Sequence, residues 1–385
     1  MSRRFVLKKI AIENFKAVRQ SGEVELTPLT VFIGNNGSGK SSLIEGLEAY
    51  SDIVVKGLDD AFENWLGVDQ TWNKAVLHRR RSTKNRGDAY DNPISMHLKG
   101  HWGRGAFNSM LEVAPEVEGG QARIEKEFLK LPTGRLYRRD YTGRAESFND
   151  ETLERVRRVA PTESASPQDW SNMCRSWQFL RLNPYAMGKP NRTRGMGSFP
   201  VFERDGSNIG QYLLSLRDAS VDAFEGYLEA LRFVVPFARD LQATISDAIE
   251  RRAYLEMTEK DFKVPGSLLS TGTLRAAALL ACLRHPVPPP LLIVEEIENG
   301  LDPRTMHLIV EEIRAAISSG RTQVLLTTHS PYLLDLLDLS HIVVVEREKG
   351  QPVFRRPDSD QLIEWSKTFS PGRLYTMGRL TRGTT

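Results

Sequence analysis

Val31 to Ser42 reads V-F-I-G-N-N-G-S-G-K-S-S. Gly34, Gly39, Lys40 and Ser41 fill the fixed positions of a G-x-x-x-x-G-K-[ST] phosphate-binding loop. The β-rich run Leu29-Thr30-Val31-Phe32-Ile33 precedes it, and Leu43, Ile44, Leu47 and Tyr50 follow at helical spacing, so the order is strand, loop, helix. Gly34, Gly37 and Gly39 let the backbone turn tightly and aim successive N–H groups inward, and the first turn of the next helix adds its own unpaired N–H groups. Such a nest suits a phosphate chain. Lys40 can reach the β- and γ-phosphates as a point charge, and the Ser41 hydroxyl can ligand a Mg²⁺ that bridges them.

The chain has 385 residues, 40% of them hydrophobic, which is enough for one large or two ordinary domains with proper cores. A net charge of +3 is too weak by its sum to demonstrate a nucleic-acid partner. Cys174 and Cys282 are far apart and belong to no set of four Cys or His at ligand spacing, which argues against a structural zinc or a disulfide framework. The basic start, Met1 to Lys9, lacks the apolar core of a signal peptide, and no stretch of 18 uncharged apolar residues occurs. The expectation is a cytoplasmic protein with no membrane partner.

Outward from the loop, Phe5 to Leu26 alternates apolar and polar residues and predicts strands leading into the loop strand. Ser51 to Leu77 reads as helical or irregular, and His78 to Gly87 as a basic loop. Ile94 to Leu129 repeats short alternating runs and predicts an antiparallel sheet. Asp150 to Asp261 reads mainly as helix, with stripes at Ile209, Tyr212, Leu213 and Leu216, at Phe224, Leu228 and Leu231, and at Phe237, Leu241, Ile245 and Ile249, interrupted by the basic loop Gly188 to Pro200. From Pro290 an α/β pattern returns: strand Leu291 to Val294, helix Pro303 to Ile317, strand Val324 to Thr327, helix Pro331 to Leu337 and strand Ile342 to Val345. Asp302 and Ser330 stand as N-caps, each followed by Pro at the first helical position.

The run Leu291-Leu292-Ile293-Val294-Glu295-Glu296 is a buried strand ending in two carboxylates. At a strand end the first acid can hold a Mg²⁺ hydration shell and the second can orient or deprotonate a water. An acidic pair there can equally be a plain helix start. Leu269-Ser270-Thr271-Gly272-Thr273 before the pair, Asn299-Gly300-Leu301-Asp302 after it, and Thr328-His329-Ser330 after the next strand complete one ordered series.

By this series the sequence resembles the ABC-type ATPases, specifically the soluble branch of RecF, SMC proteins and the ATPase half of OLD-type proteins. The resemblance rests on I-E-N-F-K-A-V, I-G-N-N-G-S-G-K-S-S, L-S-T-G-T, I-V-E-E-I-E-N-G-L-D-P and L-T-T-H-S-P-Y-L-L-D. Compact bacterial AAA-family ATPases of anti-phage and toxin–antitoxin loci are the most similar group. The implied fold class is α/β, an ABC-type P-loop NTPase head with a mixed sheet, flanking helices, an antiparallel β subdomain and a mainly helical insert. The implied division is 1–135 and 264–385 for the two parts of the head and 136–263 for the insert.

The resemblance also implies roles by position. Gly34, Asn35, Asn36, Gly37, Ser38, Gly39, Lys40, Ser41 and Ser42 would bind ATP; Glu295, with Ser41, would support Mg²⁺; Glu296 would be the catalytic base. His329 would sense the γ-phosphate, Asp302 would communicate across a dimer, and Ser270 and Gly272 would contact ATP held by a second copy. A Q-loop glutamine is not assignable, Gln70 and Gln178 both being placed for it. The long span from Lys40 to Ser270 implies an insert between two lobes, and the residues after His329 are too few for the TOPRIM nuclease of OLD proteins. A nuclease or toxin effector is therefore expected on a separate chain.

The first reading is an ATPase switch that forms a homodimer, or a higher oligomer, around ATP and controls such an effector in anti-phage defence. The alternative is a RecF-like, ATP-gated DNA-binding protein of repair; a transporter ATPase ranks third. Arg79, Arg80, Arg81, Lys84 and Arg86, and Lys189, Arg192 and Arg194, are the candidates for DNA phosphate contact, although charged runs are usually only solvated.

Overall fold

The computed structural model describes residues 4–65, 67–74, 80–83, 86–90, 92–115, 122–134, 136–140, 166–192, 201–245, 252–357 and 364–380. The chain divides into two compact units, Met1–Trp177 with Ser340–Asp358, and Gln178–Leu339 with Ser359–Thr385. Each pairs one end of the sequence with a distant segment.

In the first unit the alternating runs form an antiparallel sheet. Strand Phe5–Phe15 pairs with Ile94–Trp102, which continues through Gly105–Pro115 and Ala122–Lys130 to Leu136–Asp140, while Val18–Gln20 and Val24–Glu25 pair with the first strand. Phe5 and Leu7 face the core and then Ile10 and Ile12 do, a change of phase caused by a bulge between Leu7 and Lys9. The loop strand, Leu29–Ile33, is buried along its whole length. It pairs in parallel with Ile342–Glu348, which turns back antiparallel onto Gln351–Arg355.

The helix after the loop, Lys40–Lys56, lies against the antiparallel sheet, and Gly46 permits the close approach: a Cβ there would stand 3.1 Å from Ile12 Cγ2. Farther along, the Tyr50 hydroxyl shares a hydrogen bond with Ser109 and accepts one from Trp170 Nε1 at 2.9 Å. The Trp170 ring packs 4.7 Å from Phe107, centroid to centroid, so the polar tips of Tyr50 and Trp170 satisfy each other inside an aromatic core. The stretch predicted as a basic loop holds paired backbone instead: Arg80–Thr83 and Arg86–Tyr90 form an antiparallel ladder. Main-chain hydrogen bonds make that ladder and leave no apolar period to read.

The second unit holds three parallel strands, Gln178–Leu180, Leu291–Val294 and Gln323–Thr328, with the acid-bearing strand in the middle. Leu291 to Val294 is buried on both faces, as an unbroken apolar run requires in a parallel sheet. Helix Pro303–Ser318 is capped by the Asp302 carboxylate, which accepts from the N–H groups of Arg304 and Thr305, and helix Pro331–Asp335 by Ser330. Helices Ile209–Ala219 and Val221–Val234 carry the first two predicted stripes inward.

The third stripe is corrected. Ala238–Ile245 is a strand, paired with Arg252–Glu259, which also pairs with Asn191–Arg192 and Phe262–Pro265. Residues four apart fall on one face of a helix and on one face of a strand alike, so Phe237, Leu241 and Ile245 fit both periods; Ile249 lies outside the described residues. Leu241 alone of the three is buried, which suits a strand on the rim of a small sheet. Among the described residues, no helix is long and apolar enough to cross a membrane.

Candidate functional site

The phosphate loop lies within the first unit. Gly34 sits where a Cβ would come within 2.1 Å of the Val345 carbonyl oxygen, and Gly39, at φ +112°, where one would meet Pro352 at 2.5 Å. Both therefore exclude any side chain by close approach. Gly37 has open space around it, but its φ of +73° favours glycine. The loop is pinned from outside as well, because Arg347 Nε donates to the Gly37 carbonyl at 2.8 Å. Arg347 was not singled out in the sequence, and nothing in its local pattern marks it.

Lys40 is only 5% exposed and curls back, its ammonium donating to the carbonyls of Gly34 at 2.6 Å and Asn35 at 3.1 Å. The Ser38 N–H donates to the Asn35 carbonyl at 3.1 Å, while the Ser38 hydroxyl is buried and finds no protein partner. An orphaned hydroxyl beside a buried ammonium and a helix start without a side-chain cap fits an anion with several oxygens. Asn35, Asn36 and Ser41 are exposed, and Ser42 is half-buried.

The second unit gathers Glu295, Glu296 and His329, and the starts of two helices. Glu295 extends the acid strand, its N–H donating to the Leu180 carbonyl at 2.9 Å. Glu296 then takes a left-handed φ of +49°, unusual for a side-chain-bearing residue, and is held there by its N–H to Thr327 Oγ1 at 2.9 Å. Asn299 Nδ2 donates to Glu296 Oε2 at 2.6 Å, and His329 Nε2 stands 3.4 Å from Oε1. Partial burial pushes the Glu296 carboxyl upward, but those two contacts outweigh it and hold it below the ordinary glutamate value. It is thus ionised at neutral pH and half-exposed, as an acceptor for a water proton must be.

Three residues absent from the sequence reading complete this cluster. Glu298 accepts the backbone N–H of His329 and so fixes the loop that aims the imidazole. Arg275 donates to the carbonyls of Leu182 at 2.9 Å and Glu296 at 3.3 Å, tying the helix start to the acid turn. Arg181 grips the Glu295 carboxylate. Glu298 could have been found, since it lies between two motif positions; Arg181 carried no signal.

Ser270 caps helix Thr271–Leu283, its hydroxyl accepting from the Thr273 N–H at 3.1 Å. Gly272 is forced by packing inside its own unit, a Cβ there falling 2.5 Å from the Gly300 carbonyl oxygen. Of the two glutamines, Gln178 donates its amide to the Phe202 carbonyl at 2.8 Å, and Gln70 is exposed on a short helix, Val68–Thr71. Of the basic candidates, Lys189 and Arg192 are exposed; the side chains of Arg80, Arg81 and Arg86, and the whole of Arg79, Lys84 and Arg194, lie outside the described residues.

Two families match separate stretches: the one described as "AAA ATPase domain" over residues 6–61, and the one described as "AAA domain, putative AbiEii toxin, Type IV TA system" over residues 189–335. The Nod factor export ATP-binding protein I of Bradyrhizobium diazoefficiens is 41% identical over 92 residues, 24% of this chain and 28% of that protein. Its counterpart in Rhizobium meliloti is 34% identical over 144 residues, 36% of this chain and 37% of that protein. This chain thus matches only a minor part of those relatives' length. The Smc head domain with an extended coiled coil, bound to the C-terminal domain of ScpA and derived from Pyrococcus furiosus, has a TM-score of 0.53 at 11% identity, over 94% of this chain and 99% of that one. That likeness is one of fold.

Proposed function

We propose that this chain, an ABC-type P-loop ATPase of the RecF- and SMC-like branch, hydrolyses ATP, dimerises around it, and uses that cycle to switch a separate nuclease or toxin chain in defence against phage. The observation that carries the catalytic part is the Glu296 turn: a half-exposed, ionised carboxylate, 3.4 Å from a histidine and fixed in a strained backbone. Glu296 takes the proton of the attacking water. His329 orients Glu296 and, carrying a donor nitrogen, can also face a γ-phosphate.

Lys40 binds the triphosphate. Its two carbonyl partners are released when the phosphates arrive, and the orphaned Ser38 hydroxyl and the N–H groups at the helix start then acquire acceptors. Mg²⁺, when bound to ATP, neutralises phosphate charge. The exposed Ser41 hydroxyl suits that ion, whereas Glu295, with both oxygens engaged by a guanidinium, does not fit it as it stands.

Ser270 and Gly272 are assigned to ATP held by a second copy, and Asp302 to communication between copies. Because Gly272 is packed against Gly300 within its own unit, loss of activity on adding a side chain there would not by itself demonstrate a role toward a partner. The family matched over residues 189–335 supports the effector reading through its toxin–antitoxin description. The export role printed for the curated relatives belongs to them, and their shared description as ATP-binding supports the nucleotide. An affinity-tagged chain recovered from its native host with ATP and with a chelator tests the switch. A nuclease or toxin chain whose recovery changes with nucleotide is expected. Recovery of duplex DNA and repair proteins in its place would move the reading to the RecF-like alternative.

A further inference from the structure

Glu295 stands where a carboxylate open to a divalent cation was expected, and both of its oxygens are taken. Oε1 accepts from Arg181 Nε at 3.1 Å and Nη2 at 2.6 Å, Oε2 accepts from Nη2 at 2.8 Å, and Arg204 Nη2 lies 3.5 Å from Oε1. The Glu295 side chain is 6% exposed and that of Arg181 48%. Burying a carboxylate is costly without a partner, and a guanidinium fork supplies one with charge-assisted bonds.

The backbone puts the arginine there. Arg181 directly follows strand Gln178–Leu180, which pairs in parallel with the acid strand, so the two strand ends present Arg181 and Glu295 side by side. The Arg181 N–H donates to the Arg204 carbonyl at 2.8 Å, which brings the second arginine to the same carboxylate. Leu182, next along, is held by Arg275. The clamp is thus built into main-chain pairing.

We infer that Arg181, with Arg204 as a weaker second, competes with the divalent cation for Glu295 and thereby sets the Mg²⁺ concentration at which the chain takes up Mg·ATP. One carboxylate cannot give the same lone pairs to a guanidinium fork and to a cation. The inference rests on the ATPase reading. It makes Arg181 a positioning residue, one that would act on the cation only through Glu295.

The test measures binding, with no turnover required. A fluorescent ATP analogue is bound in chelator, and Mg²⁺ is then titrated. Arg181→Gln should lower the Mg²⁺ midpoint roughly threefold to tenfold, the scale of losing up to one competing charged contact, with binding in chelator unchanged. Arg181→Lys, which keeps the charge without the fork, should fall between, and Arg204→Gln should shift less. In a Glu295→Gln background the Arg181→Gln shift should vanish. Mn²⁺ binding to the nucleotide-free chain, read by electron paramagnetic resonance, should tighten in Arg181→Gln by the same order. A midpoint and Mn²⁺ affinity that stay put or worsen in folded Arg181→Gln, or a shift that persists without Glu295, would overturn the competition. A wild-type chain that binds no ATP at any Mg²⁺ concentration would overturn the ATPase reading instead, and Mn²⁺ binding would still decide the competition.

Discussion

Lys40→Ala should lower ATP affinity by roughly 100-fold or more, the expected effect of removing a buried cation from its anionic partner, while the unfolding midpoint should change little. The structure gives the reason for both halves. The Lys40 ammonium donates to two loop carbonyls, and alanine leaves those carbonyls to a loop that remains pinned by Arg347 and shaped by Gly34, Gly37 and Gly39. Titration calorimetry on wild type and variant reads the affinity, and circular dichroism reads the fold. A folded Lys40→Ala chain with unchanged affinity would remove the phosphate-loop assignment.

Glu296→Gln is expected to lose hydrolysis and keep ATP binding. An amide cannot take the proton of the attacking water, and general-base catalysis contributes about 10²- to 10⁴-fold, so turnover should fall within that range. The hydrogen bond from Asn299 can reach the glutamine carbonyl oxygen, and the backbone bond to Thr327 is untouched, so the turn survives. In the wild type, Asn299 and His329 hold the Glu296 carboxyl below its ordinary value. Loss of rate from protonating this base should therefore begin only as the pH falls below the usual glutamate range. Phosphate release followed against pH measures both effects. A variant with wild-type turnover, beside a Glu295→Gln variant without any, would exchange the roles of the two acids.

What the sequence disclosed follows from how locally each feature is encoded. The phosphate-loop motif was legible because its residue types stand in one short stretch, with Gly37 and Gly39 on left-handed backbone, whereas the approaches of Val345 and Pro352 and the bond from Arg347 come from far along the chain. The acid strand and the caps at Asp302 and Ser330 were legible for the same reason, since strand burial and N-capping act over a few residues. The strand at Ala238–Ile245 was lost to helix because a spacing of four belongs to both periods. The division into units interleaves distant segments, and no local pattern encodes which strands associate.

The arginines were illegible for a further reason. Arg181 matters through Glu295, more than a hundred residues away in sequence (|i−j| = 114), and that meeting is created by parallel pairing of two strands. The motif position of Glu295 points to a metal, while the strand pairing sets a guanidinium beside it. Glu298 illustrates the intermediate case, lying inside a recognisable motif yet acting on the His329 backbone from the neighbouring strand's end.

An ATP-driven change of association is read by sedimentation velocity of the Glu296→Gln chain, because that variant should hold ATP without consuming it. With Mg·ATP the chain should sediment as a dimer, and with ADP, or after introducing Lys40→Ala into the same chain, as a monomer. A single unchanged species in all three conditions, with ATP binding verified by calorimetry in the first, would contradict the account.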